Sequence, residues 1–337
     1  MSIRIGVIGY GYWGPNLARN FAACPGAKLA AVSDTRPDRL QRAAQAHPVA
    51  ALSANWRDLI NDTAIDAVAV ATPVSTHSEI ALAALNAGKH VFVEKPMTAT
   101  VDEGVRLVEM AHRKNRILMV DHTFVYTGAV RKIREIVQSG HLGDLYYYDS
   151  VRVNLGLFQS DVNVLWDLAV HDLAILDYIV DARPTAVSAT GMSHFPGSPE
   201  NIAYLTLFFD EKLIAHIHAN WLAPVKIRGT LVSGSKKMVV YNDLEPSEKI
   251  RVYDSGVTVK TDTDRYRLLV DYRAGDMWAP RLDHTEALAA EAAHFVDCIN
   301  LNKKPLTDGE CGLRIIRALE AAGASMAARG APIELGK

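Results

Sequence analysis

Cysteine is scarce in this chain of 337 residues: Cys24, Cys298 and Cys311 are the only three. Their number is odd and CxxC spacing is missing, which argues against a disulfide framework and against a zinc ribbon; they read as buried or incidental thiols. An excess of one charge is lacking as well. Lys and Arg number 36 against 38 Asp and Glu, with no long run of either sign, so neither nucleic acid nor an anionic membrane surface is expected as a partner. The opening MSIRIGVIGY has no basic leader followed by a long apolar stretch, so neither a signal peptide nor a membrane anchor is indicated and a cytoplasmic location is expected. What remains is a small-molecule partner. Apolar residues are plentiful at 49% of 337 residues, enough for two cores, and two domains are expected.

Short apolar runs at 3–8, 28–33, 65–71, 90–93 and 117–120 alternate with helical spacing at 15–24, 36–46, 75–87 and 101–115. Strands that alternate with helices predict a right-handedly wound parallel sheet, here residues 1–121. From residue 122 to 337 the pattern changes. Helical stretches near 129–138 and 164–179 are followed by strand-like runs at 185–190, 202–209, 213–221, 227–233, 238–241 and 250–253, joined by turns such as Asp210-Glu211 and Ser233-Gly234-Ser235. This predicts an α+β domain with a large, mostly antiparallel open sheet. Two Ala-rich helices, 285–300 and 309–328, are expected to pack back against the first domain.

The loop Gly9-Tyr10-Gly11-Tyr12-Trp13-Gly14 follows the first strand and opens a helix. In that setting GxGxxG is the Rossmann dinucleotide fingerprint: Gly9 for the tight turn, Gly11 for backbone approach to a pyrophosphate, Gly14 for close helix-to-strand packing. The plain alternative is a glycine turn without a ligand. Asp34 ends the second strand at the spacing of the acid that accepts from the adenine-ribose hydroxyls, and its charge disfavours a 2′-phosphate. NAD(H) is therefore favoured, with NADP(H) open because Arg36 and Arg39 could neutralise that phosphate. Asp34 could equally be a helix N-cap.

Glu94-Lys95-Pro96 stands at the carboxyl end of a parallel strand, where ligands of such sheets bind. With Ala71-Thr72-Pro73-Val74-Ser75-Thr76-His77 and Ala87-Gly88-Lys89-His90 before it, the whole chain resembles the glucose-fructose oxidoreductase, inositol dehydrogenase and MocA (Gfo/Idh/MocA) family. The resemblance implies cofactor contacts from Gly9, Gly11, Tyr12, Trp13, Gly14, Asp34, Thr72, Pro73, His77, Glu94 and Lys95. It also implies a D-x-G-x-H element, matched by Asp167-Leu168-Ala169-Val170-His171 with Ala in place of Gly, and hence a catalytic trio of Lys95, Asp167 and His171. At i and i+4 the acid and the imidazole share a helix face. An ordinary imidazole, with a pKa of about 6.5, suits proton removal from an alcohol, making His171 the base. Lys95 would stabilise alkoxide character on the same oxygen, and Asp167 would orient the group or bind a neighbouring hydroxyl. Each of these residues alone could be an ordinary surface or helix-face side chain.

Substrate contacts are expected from the trio, from Asn154, Gln159 and Asn163 in an amide-rich stretch, from Tyr126 after the last Rossmann strand, and from Lys226 and Arg228 if the ligand carries a diphosphate. His216 and His218 share a strand face, but no third ligand stands near, so no metal is expected. The expected activity is interconversion of a secondary ring alcohol and a ketone on a sugar or nucleotide-sugar. An inositol or cyclitol dehydrogenase is the alternative, and a non-catalytic NAD-sensing regulatory protein is the alternative of another class. The resemblance further implies a homo-dimer or homo-tetramer formed through the open sheet.

Overall fold

Six short, mostly apolar segments wind into one parallel sheet: β1 (Ile3–Ile8), β2 (Ala27–Ser33), β3 (Ala51–Ser53), β4 (Ala67–Val70), β5 (His90–Glu94) and β6 (Leu118–Asp121). Their spatial order is β3-β2-β1-β4-β5-β6, the doubly wound order that reverses direction between β1 and β4. The computed structural model describes residues 2–156, 162–209, 212–258 and 271–336. All four residues of β4 are buried, as expected of a central strand covered on both faces. The helices are α1 (Gly14–Ala23), α2 (Pro37–Ala46), α3 (Trp56–Asn61), α4 (His77–Asn86) and α5 (Val101–Lys114). α5 illustrates local encoding: the Thr100 side chain accepts from Glu103 N–H, Glu103 accepts from Ala99 N–H, and Asn115 closes the helix at φ 49°. That is a capping box followed by a left-handed stop. β3 and α3, with three and six residues, are too short for the periodicity that revealed the others.

The chain divides into two units, one of Met1–Tyr126 with Thr285–Arg317, the other of Thr127–His284 with Ala318–Lys337. A boundary at residue 121 alone does not describe this, because the helix Ala287–Leu301 lies in the first unit. The reason is apolar. Phe21 of α1, Phe92 of β5 and Phe295 of that helix are fully buried and meet edge to face, with ring centroids 5.5 to 6.1 Å apart. The helix Gly309–Ala327 gives its residues up to Arg317 to the first unit and the rest to the second.

In the second unit a nine-stranded sheet runs from the edge strand Met277–Trp278 through β13 (Ile250–Tyr253), β12 (Met238–Asn242), β11 (Leu222–Gly234), β7 (Leu145–Leu155), β10 (Ile214–Asn220), β9 (Ile202–Phe209) and β8 (Pro184–Met192) to the edge strand Ile333–Glu334. Pairing is antiparallel except between β7 and β10. Ala215, Ile217 and Ala219 of β10 point into the core, whereas His216 and His218 point to the open face, the alternation of a one-sided sheet. The helices of this unit are α6 (Gly128–Gln138) and α7 (Val170–Ile179). The expected helix 164–179 is not uniform, since a π-helical turn, Leu165–Ala169, precedes α7. The expected turn at Asp210-Glu211 lies outside the described residues. No helix among the described residues is long and apolar enough to cross a membrane.

Phe295→Ala is expected to destabilise the first unit by about 3–5 kcal/mol, the cost of an unfilled aromatic site in a close-packed core. Urea unfolding followed by tryptophan fluorescence measures it; a loss below about 1 kcal/mol would mean that the aromatic trio is not a core element.

Candidate functional site

The cofactor half of the site is built at the carboxyl edge of the parallel sheet. Gly9 has φ +93°, and a Cβ there would lie 2.5 Å from the Ala71 carbonyl oxygen; at Gly14 a Cβ would lie 2.0 Å from the Gly9 carbonyl oxygen. Both positions therefore require glycine for reasons internal to the protein. Gly11 differs, for its Cβ would meet nothing closer than the flexible end of Arg39 at 3.5 Å. The space beside Gly11 is left open, and no side chain caps the first turn of α1, so the helix start is available to an anion. These features fit a dinucleotide pyrophosphate.

Asp34, only 6% exposed, is held by the Tyr10 N–H at 2.7 Å and the Arg36 N–H at 2.9 Å. It is not the N-cap of α2, a position that Arg36 occupies. Of the two arginines considered for a 2′-phosphate, Arg36 turns to Asp38, at 2.9 Å, while Arg39 reaches Asp34, at 3.3 Å. The acid is thus fixed by two backbone N–H groups and by Arg39.

Lys95 follows β5 at the same edge, half-buried. His77, assigned to the cofactor from sequence, is 1% exposed, and its ring nitrogens lie 2.8 Å from the Thr72 carbonyl and 3.0 Å from the Pro96 carbonyl. It ties the loops after β4 and β5 together and has no surface for a ligand; burial holds its pKa below the usual value. Pro73 is exposed and Thr72 and Glu94 are half-buried in those loops. Tyr12 is 88% exposed and stacks on Trp13 at 6.4 Å. The Trp13 indole N–H goes to Asp121 at 2.6 Å, a contact that the sequence did not suggest.

In the second unit Asp167 belongs to the π turn and His171 to α7. Both are half-buried, with Leu168, Ala169, Val170 and Asp172 buried between and beside them. π turns interrupting helices recur at functional sites. Two buried interactions hold this segment. Trp221, 0% exposed, donates its indole N–H to Asp167 at 2.9 Å. Arg152 of β7 meets Asp172 at 2.6 and 3.2 Å, and Ser150 donates to the same carboxylate at 2.7 Å. Neither was foreseen; the one sequence signal was a charge at an inward position of an alternating strand.

Several expected substrate residues are otherwise engaged. Tyr126 is 4% exposed, faces Thr307 at 3.3 Å, and has its hydroxyl pKa raised by burial; it is a core residue of the first unit. Asn163 accepts from the Leu165 and Trp166 N–H groups and donates to Glu200, so its amide is spent on the start of the π turn. Arg228 pairs with Asp243 at 3.2 Å, alongside the Tyr241 hydroxyl on the same carboxylate. Lys226 is exposed on β11, and Asn154 is half-buried on β7. Gln159 lies outside the described residues. His216 sits 3.5 Å from Asp149, Tyr204 stacks on His218 at 4.5 Å, and no group of metal-binding side chains occurs among the described residues.

The family model described as "Oxidoreductase family, NAD-binding Rossmann fold" matches residues 3–122, and the "GFO/IDH/MocA C-terminal domain" model matches residues 130–240. The chain is 28% identical over 333 residues to UDP-N-acetylglucosamine 3-dehydrogenase of Acidithiobacillus ferrooxidans, covering 94% of this chain and 95% of that protein. It is 24% identical over 319 residues to scyllo-inositol 2-dehydrogenase (NAD(+)) of Bacillus subtilis, covering 90% and 88%. A solved structure of the Acidithiobacillus ferrooxidans enzyme superimposes with TM-score 0.80 at 25% identity, over 97% of this chain and 99% of that one.

Asp34→Ala is expected to weaken NADH binding about tenfold or more, the loss of a charged hydrogen-bond acceptor; fluorescence titration measures it, and undiminished affinity would remove Asp34 from the site. Asp172→Asn withdraws the charge facing the buried Arg152 guanidinium and is expected to cost about 3–5 kcal/mol of stability in urea.

Proposed function

The chain belongs to the Gfo/Idh/MocA oxidoreductases, and from that premise we propose that it interconverts a secondary ring alcohol and a ketone on a sugar or nucleotide-sugar with NAD(H). The observation that carries this reading is the common edge of the parallel sheet, where the open Gly11, the backbone-held Asp34 and the half-buried Lys95 all stand. Bound nicotinamide supplies the hydride acceptor for the alcohol, or the donor for the ketone. His171 removes the hydroxyl proton, so that carbinol hydrogen and hydroxyl proton leave as hydride and H⁺. Lys95 donates a hydrogen bond to the same oxygen and stabilises its developing negative charge. Asp167, already oriented by the Trp221 indole, fixes a neighbouring hydroxyl or the imidazole.

The two relatives named above act, by their names, on a nucleotide-sugar and on a cyclitol. Lys226 is the exposed cation that supports a phosphate-bearing substrate. The engagement of Arg228 by Asp243 favours the second reading, a cyclitol or free sugar, because it withdraws one of two groups suited to a diphosphate. Homo-oligomerisation through the open sheet, the third expectation, is supported by Tyr204, Ile214 and Ile227 on that face, which are 42%, 45% and 46% exposed.

The test follows nicotinamide absorbance while the protein, with NAD and then NADP, meets free sugars, UDP- and dTDP-sugars and inositols. Turnover with one class is expected, with His171→Ala lowering kcat by about 10²–10⁴-fold and Lys95→Ala abolishing measurable turnover while NADH still binds. Tight NADH binding without turnover on any of these would support the sensing protein instead. Lys226→Ala separates the substrate classes: KM rises for a nucleotide-sugar and is unmoved for an inositol.

A further inference from the structure

The helix Ala287–Leu301 carries one acid turned wholly into the core. Glu291 is 0% exposed, on the same buried side as Leu288, Ala292 and Phe295; neither of its carboxyl oxygens has a hydrogen-bond partner, its helix packs against the turn Thr123–Tyr126, and the charge of Asp121 and the Thr123 hydroxyl act on its carboxyl. Asp121, at the end of β6, is 1% exposed and lies in register with Glu94, one residue before Lys95. One oxygen of Asp121 accepts from the Trp13 indole at 2.6 Å and the other from the Thr123 hydroxyl at 2.5 Å, and the positive charge of Lys95 acts on this carboxylate.

Two carboxyl groups enclosed together cannot both ionise, because each charge is stripped of water and repels the other. The surroundings decide which one keeps the proton. Asp121 has two donors and a nearby cation. The Thr123 hydroxyl gives its proton to Asp121, and neither Glu291 oxygen receives a hydrogen bond from any group. Titration directions agree: burial drives Glu291 well above the carboxylate range, with Asp121 and Glu94 adding to the rise, whereas the rise at Asp121 is opposed by Thr123, Trp13 and Lys95.

We propose that Glu291 is a positioning residue of the cofactor half: its carboxylic O–H is donated to Asp121, and the paired Asp121 carboxylate holds the Trp13 corner of the glycine loop and the Lys95 ammonium in place. The pair thereby carries one negative charge instead of two or none. The inference rests on the reading of Lys95 as a reacting-site residue only for its effect on turnover; the effect on the glycine loop stands apart from it.

Infrared spectroscopy of the intact protein at neutral pH is expected to reveal a protonated-carboxyl C=O band that Glu291→Gln removes. Absence of such a band, or its persistence in Glu291→Gln, would overturn the proposal. Glu291→Leu, which deletes the donor, is expected to weaken NADH binding about tenfold, the loss of one hydrogen bond to a charged group, and to lower kcat with little change in the KM of the sugar. Glu291→Gln, which keeps a donor and the volume, is expected to recover most of both; equal damage from the two substitutions, or none from either, would also overturn it. If Glu291→Leu does not fold, the infrared band and the Glu291→Gln titration still decide. If the wild-type protein turns over none of the substrates, the proposed function fails while the infrared and NADH arms continue to judge the carboxyl pair.

Discussion

Parallel pairing is the constraint on which the first unit depends. When six strands run the same way, every carboxyl end comes out on one edge, and each crossing back to the other edge requires a helix. Gly9 after β1, Asp34 after β2, Thr72 after β4, Lys95 after β5 and Asp121 at the end of β6 are far apart in the chain, yet share that edge because the sheet is ordered β3-β2-β1-β4-β5-β6. The start of α1 at Gly14 follows the same edge, so an uncapped helix start, a backbone-held acid and a lysine come to one edge through strand order alone.

Within both units the acids of the candidate site and beside it are held by polar contacts rather than by apolar packing. Asp34 is held by two backbone N–H groups, Asp121 by an indole and a hydroxyl, Asp167 by an indole, and Asp172 by an arginine and a serine. Such contacts add little net stability, because desolvation offsets much of the attraction, but they are directional and punish misplacement. Arg152 and Asp172 act next door to His171, so the ion pair fixes the rotation of α7 against β7. Apolar groups such as Phe21, Phe92 and Phe295 supply the burial that makes the strict geometry affordable.

Legibility followed the range of the interaction. The strand ends and the turns of the glycine loop depend on neighbours a few residues away, and they were readable. Tyr126, Asn163 and Arg228 misled because a polar side chain after a strand looks the same whether it meets a ligand or its own protein. Tyr126 was claimed by Thr307, 181 residues away, and Arg228 by Asp243. Glu291 gave a faint sign, a lone acid on the apolar side of an Ala-rich helix, whose meaning required Asp121.

By itself the sequence determined the two-layer plan: periodicities of 2 and 3.6 set strands and helices, the glycine spacing set the dinucleotide loop, and the shift from alternating to consecutive strands set a second, antiparallel domain. Only the tertiary structure decided that Phe295 meets Phe21 and Phe92, that His77 staples two loops, that Trp221 holds Asp167, and that Glu291 is wholly buried. The physical reason is that backbone patterning is a local free-energy choice repeated every few residues, whereas the partner of a buried polar group is whichever donor or acceptor the finished packing brings within about 3 Å.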